Sequence, residues 1–173
     1  MIIVLSILVI LIFLEGPEWS RLFFHPGQTK AHFKLSLFFT LGSLLAYGIF
    51  IYFRKTEIRN PVPLGWPIDT LIIIGFGLAI FLAIIEEILF RSFIFERMAS
   101  ATNVKIAIPL QGLFYGFLQY RIGIPNGNEG IIFGSLFGMG LAYLVYKTNS
   151  IYLSMLVHFM VTLGIFWELT ILG

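Results

Sequence analysis

The chain has no cysteine among its 173 residues. Disulfides, thiolate nucleophiles and cysteine-built metal sites are therefore excluded together, and any chemistry must come from oxygen and nitrogen groups. Charge is nearly as scarce: Asp, Glu, Lys and Arg make up 12% of the residues, with a net charge of +2. The basic residues are scattered along the chain and form no block, so no nucleic-acid role is indicated. No internal repeat or low-complexity segment is present, which gives no support to a transporter built from repeats. An HExxH helix is also missing, so no cofactor is expected; a metal site built from two glutamates and a histidine is the lesser alternative, with chelator sensitivity as its test.

What the sequence has instead is apolar bulk. Hydrophobic residues make up 58% of the chain and the mean hydropathy is +0.95. Stretches of about 18 or more apolar residues read as helices that cross a bilayer. The expected fold is all-α, a multi-pass transmembrane helical bundle of about six spans, with residues 1–173 forming a single integral membrane domain. Residues 1–14 are apolar, lack a basic start and a small-residue cleavage site, and read as a retained first helix. A loop over 15–34 follows, with Gly16, Pro17, Pro26 and Gly27 as breakers. The second span is expected over 35–53. The third starts near Pro67 or Asp69 and runs to about Met98, because Pro suits a first helical turn and Asp the positive helix start. A fourth span over 104–120 is interrupted by Pro109, and the fifth and sixth occupy 130–146 and 151–172. The short link between these last two forces an antiparallel hairpin. Gly130, Gly134, Gly138 and Ala142 recur every four residues and give the fifth helix a face that a neighbouring backbone can approach closely.

Against this background three charges stand out. Glu86, Glu87 and Arg91 lie inside the long apolar run over 61–98. An ionisable group at the centre of a membrane helix costs roughly 2.5 to 3.5 kcal/mol even on lenient scales, so such groups usually face a polar cavity and have a function. Glu87 and Arg91, four apart, share a helix face and can pair, while Glu86 is turned about 100° away toward another neighbour. Glu86, desolvated and beside a second negative charge, suits a general base. Two further polar stripes at spacing four follow: Gln111, Tyr115 and Gln119 on the fourth helix, and Ser154, His158 and Thr162 on the sixth. Counting from the connections on one side at 1.5 Å per residue puts Glu86 roughly 18 Å deep, Gln119 about 22 Å, His158 about 12 Å and Thr162 about 18 Å. These residues can therefore meet near mid-membrane.

The string Glu86-Glu87-Ile88-Leu89-Phe90-Arg91, followed by Ser92-Phe93, resembles the EExxxR signature of the CPBP group. That group comprises the CAAX prenyl endopeptidases and bacteriocin-processing proteins, which are glutamate-dependent intramembrane proteases. The resemblance extends over about 81–165. The family's second motif, Phe-x-x-x-His, is matched best by Tyr115-Gly116-Phe117-Leu118-Gln119, with Gln119 in place of the histidine. A third, His followed four residues on by Asn or Asp, is matched by His158-Phe159-Met160-Val161-Thr162, with Thr162 in the last place. The resemblance implies an endopeptidase in which Glu86 takes a proton from water as it attacks a scissile carbonyl, with Glu87 and Arg91 in support. His158 would donate to the oxyanion or shuttle a proton, Thr162 would be a second donor, and Gln119 would hold water or donate.

Partners expected on this reading are the lipid bilayer and a membrane-associated protein or peptide substrate, in a prokaryotic plasma membrane. The substitution at Gln119 leaves open a catalytically inactive relative that acts as a membrane peptide-binding or immunity protein. A transporter would need a polar path across the whole membrane, and only a mid-depth cluster is visible. Asp69 and Glu168 lie near span ends, while His25 and His32 fall in the first loop, where a lid role is one option. Arg21, Lys30, Lys34, Arg97, Lys105 and Lys147 lie on one side of the membrane and Arg54, Lys55, Arg59 and Arg121 on the other, a faint positive-inside preference for the first side.

Overall fold

The structure is a computed structural model that describes residues 10, 14, 23–54, 67–123 and 125–172. The first expected span, over 1–14, lies almost wholly outside the described residues, as does the Pro-x-Pro loop before the third. Within them all the regular structure is helical. The order is α1 (Thr29–Arg54), α2 (Ile68–Glu87), a π-helical segment (Ile88–Ile94), α3 (Phe95–Ala101), α4 (Val104–Ile122), α5 (Gly127–Thr148) and α6 (Tyr152–Leu172). Among the described residues three helical stretches are long and apolar enough to cross a membrane: Thr29–Phe53, Ile68–Ala101 and Gly127–Thr148.

The outward faces are apolar, with Phe38 and Ile73 both 71% exposed. Buried positions, in turn, include two glutamates, an arginine, a glutamine and a histidine. A water-soluble domain is built the other way round. The pattern is that of a helical membrane bundle, whose outside meets hydrocarbon and whose inside holds the groups hydrocarbon would penalise.

Local sequence accounts for the helix ends. Asn103 caps α4, its side chain accepting a hydrogen bond from the Ile106 amide at 3.1 Å, an interaction typically worth about 1 kcal/mol. α5 stops at Asn149, which adopts the left-handed conformation at φ 53°, ψ 37°. Asn tolerates that region better than most residues. Pro109 lies inside α4 without breaking it, so the expected interruption does not occur. α1 starts at Thr29, six residues ahead of the expected 35, because no breaker follows Gly27. Its polar first turns carry Lys30, His32 and Lys34.

Packing follows the small residues. α4 and α5 run against each other along Gly112 and Gly116 on one side and Gly134 and Gly138 on the other. A Cβ built on Gly138 would come within 3.1 Å of the Gly112 Cα. The four-residue glycine repeat thus brings two backbones together, as its spacing predicts. α6 packs against α2, α1 and α5. Before α1, residues 23–28 are tied to the α5–α6 turn: the Gln28 amide donates to Thr148 O at 2.7 Å and the Ile151 amide to Phe23 O at 3.2 Å.

Candidate active site

Glu86 and Glu87 are the last two residues of α2, and Arg91 lies one turn further, in the π segment. Every residue from Glu86 to Ser92 is buried. A regular α-helix turns some of seven consecutive residues outward, so this stretch is enclosed by protein on all sides. The π geometry, with hydrogen bonds to the fifth residue back, is rare and collects at functional sites.

Arg91 and Glu87 are both fully buried and form an ion pair, Nη1 to Oε1 at 3.1 Å. The guanidinium also sits 4.7 Å from the Tyr115 ring centroid and 5.7 Å from that of Phe90. Such faces attract a cation that water cannot reach. Across from the pair, on α6, His158 places Nδ1 2.8 Å from the same Glu87 oxygen. A carboxylate paired with a guanidinium can only accept, so the bond assigns the hydrogen to Nδ1. That fixes the ring with Nε2 pointing away from Glu87, 3.7 Å from Glu86 Oε2. Phe137 closes on the imidazole edge-on, with centroids 5.5 Å apart at 87°.

Glu86 faces the other way. Its Oε2 accepts a hydrogen bond from the Tyr115 hydroxyl at 2.8 Å. It borders a cavity of about 380 Å³, together with Tyr115, Gln119, His158 and Thr162. Glu87 and Arg91 are absent from that lining. The two adjacent carboxylates are thus divided, one toward the cavity and one behind the histidine. Apolar side chains make up most of the remaining wall, among them Leu82, Phe133, Phe137 and Leu141. From Glu86 the cavity extends to the α4–α5 connection at Ile122, Gly123 and Pro125.

Of the residues singled out in the sequence, Glu86, Glu87, Arg91 and His158 form one connected cluster. Gln119 and Thr162 line the same cavity one turn beyond Tyr115 and His158 respectively. The Gln119 side chain packs on small residues: a Cβ on Gly134 would lie 2.7 Å from its Cγ, and one on Gly123 2.7 Å from its Oε1. Tyr115, not Gln119, makes the hydrogen bond to Glu86. Its place in the stripe with Gln111 and Gln119 is the signal that points to it. Ser154, one turn before His158, is fully buried and adjoins the Glu87 carboxylate. His25 bonds Asn149 at 3.0 Å on the exposed surface, and neither it nor His32 borders the cavity. Asp69 accepts from the Thr70 amide at the start of α2. Among the described residues no three His, Asp or Glu side chains are grouped to hold a metal ion.

Comparison with known proteins gives the family. The family model described as Type II CAAX prenyl endopeptidase Rce1-like matches residues 68–164, from the first turn of α2 to the middle of α6. No curated protein and no solved structure matches the chain.

Proposed function

The chain belongs to the Rce1-like family of type II CAAX prenyl endopeptidases, a peptidase family, and from that premise we propose that it is an active intramembrane endopeptidase of a prokaryotic plasma membrane. It is read as a multi-pass protein that cleaves a membrane-associated protein or peptide in the course of processing or sorting. The observation that carries this reading is the division of labour between the adjacent glutamates. Glu86 borders the cavity, and Glu87 holds His158 so that Nε2 faces the same oxygen of Glu86, at 3.7 Å.

Each group then has a task in hydrolysis. Water held between Glu86 and His158 loses a proton to Glu86 as its oxygen attacks the scissile carbonyl carbon. In its doubly protonated form, with the second proton taken from solvent before the attack and kept through the turnover, His158 donates a hydrogen bond from Nε2 to the oxygen that becomes negative, and Thr162 offers a second donor from the next turn. The C–N bond breaks as Glu86 returns its proton to the leaving amine nitrogen. Glu87, neutralised by Arg91, orients the imidazole as the buried carboxylate does in a serine-protease triad. Tyr115 orients Glu86. Gln119, with its amide at the edge of the cavity, holds water or a substrate carbonyl.

The test is accumulation of uncut precursor in cells that carry wild type, Glu86→Ala or His158→Ala, with membrane levels of each variant checked by blot. Both variants should be present and leave the same precursor uncut. Processing that continues unchanged in both would favour the second reading, a peptide-binding relative without catalysis. The observation on its side is the glutamine at position 119, where the family motif has histidine.

A further inference from the structure

One side of the cavity comes from a helix that the family match does not include. α1 precedes residues 68–164 and contributes Phe38, Phe39, Gly42, Ser43, Ala46 and Tyr47 to the lining. These positions recur at spacing four on a single face and extend about 13.5 Å along the axis. The middle of the face is small. A Cβ built on Gly42 meets nothing within 4 Å among the described residues, which leave the space beside it open. Around that space the lining residues are exposed: Phe38 is 71% accessible and Leu136, from α5, 63%. The apolar outside of the bundle is therefore continuous, past small residues, with the cavity that Glu86 and His158 border.

Tyr47 is the second and independent observation. It lines the cavity and is 4% exposed, yet its buried hydroxyl has no hydrogen-bond partner among the described residues. An unpaired buried hydroxyl is unfavourable, and a ligand that accepts from it relieves the penalty. Tyr47 packs with Ile165, seven residues along α6 from His158, or about 10 Å of helix rise. In an extended peptide, at about 3.3 Å per residue, that distance is roughly three residues.

We propose that α1 is the wall that reads the substrate, on the premise that the protein is the endopeptidase described above. An extended, apolar segment of a membrane-embedded protein enters from the bilayer between α1 and α5. Its bulky side chain next to the cut bond fills the space beside Gly42, Ser43 and Ala46. A backbone carbonyl about three residues away accepts from the Tyr47 hydroxyl. An extended peptide is the occupant that fits, because the α1 lining offers apolar space plus one unpaired donor and no charged side chain; the Glu168 carboxylate, beside Gly48 on the same helix, lies outside that lining.

The experiment uses the full chain in proteoliposomes and biotinylated single-span peptides with a Leu/Ala core, carrying Ala, Leu or Phe in turn at each central position. Cleavage is read by mass spectrometry for wild type, Gly42→Leu and Tyr47→Phe. Binding is read separately in a Glu86→Gln background, by cross-linking from p-benzoylphenylalanine in place of Ala46, with Leu45, 66% exposed and outside the lining, as the control. Wild type should prefer Leu or Phe beside the cut bond, and Gly42→Leu should shift the preference toward Ala by about tenfold or more. Tyr47→Phe should raise KM about fivefold and leave kcat unchanged, as loss of one remote hydrogen bond predicts. Cross-links should form at position 46 and not at 45. Equal cross-linking at both positions, or an unchanged Ala-to-Phe ratio in Gly42→Leu, overturns the proposal. Cross-linking confined to position 46 without cleavage by wild type keeps the binding wall and rejects the endopeptidase instead.

Discussion

Arg91→Met removes the cation from a pair in which both partners are fully buried and 3.1 Å apart, and so leaves Glu87 as an enclosed carboxylate. Breaking a buried pair from one side typically costs about 3–5 kcal/mol, because the partner cannot return to water. Two features hold the cost within that range. His158 Nδ1, 2.8 Å away, still donates to the stranded oxygen, and the carboxyl can escape the charge by taking up a proton. Met keeps the bulk and the contact with the Tyr115 and Phe90 rings. The companion variant Glu87→Gln/Arg91→Met removes both charges. It should recover most of the lost stability, since an apolar or neutral replacement of a buried pair is often harmless. It should not recover activity, because an amide does not hold His158 in the same hydrogen-bonded form. Unfolding in detergent micelles of Arg91→Met, Glu87→Gln and the double variant, with urea or SDS as the variable, gives the three stabilities and the coupling between the two residues. A single variant that loses less than about 1 kcal/mol, or a pair of variants whose losses add, would refute the assignment of Glu87 and Arg91 as a closed unit.

Other consequences follow from single contacts. Tyr115→Phe keeps the ring against Arg91 but removes the 2.8 Å hydrogen bond to Glu86. Activity should fall by about 10- to 150-fold, the equivalent of 1.5–3 kcal/mol for a bond to a charged group, while the protein still inserts in the membrane; an unchanged rate would remove Tyr115 from the site. Gly138→Leu should destabilise the protein by about 1–3 kcal/mol or more by forcing α4 away from α5, measured as a lower midpoint of thermal unfolding. Asn149→Ala should lower stability by about 1–2 kcal/mol, since Ala is strained at φ 53°; Asn149→Gly, which relieves that strain, should lose less. Chelators should leave cleavage unaffected, because Glu87 is already engaged by Arg91 and His158. That leaves only Glu86 and His158 Nε2 as strong ligands facing the cavity, short of the three a catalytic zinc takes.

The membrane class and the order of the helices were legible in hydropathy alone, because 20-residue apolar runs have few alternatives in a bundle. That α5 takes a close neighbour was legible in the spacing of Gly130, Gly134 and Gly138; that the neighbour is α4 was not. The charges that form the cluster were legible because hydrocarbon makes such residues conspicuous. Other features were not. The π segment has no sequence signature of its own: Ile88 to Ile94 reads as ordinary helix, and the widened turn arises from packing on all sides. Tyr115 shares its helix face with Gln119, and the position aligned with the family histidine drew attention to Gln119, so the hydrogen bond from Tyr115 to Glu86 emerges only from the structure. Tyr115 sits level with Glu86, and Gln119 lines the same cavity one turn further on. The contribution of α1 was invisible because Gly42, Ser43 and Ala46 resemble any helix surface until the cavity behind them is seen. Helix starts were misjudged where polar residues such as Lys30 and Lys34 occupy a helical turn at the edge of the apolar region.

The central claim is that Glu86 activates water at the cavity that His158 shares. Its most direct test is the rate at which purified wild type and Glu86→Gln, reconstituted in proteoliposomes, cut the precursor that accumulates in cells lacking activity. Loss of a general base lowers a rate by about 100- to 10,000-fold, and the account predicts a fall of that size with the precursor still bound. Cleavage by Glu86→Gln at a rate within a few fold of wild type would contradict it.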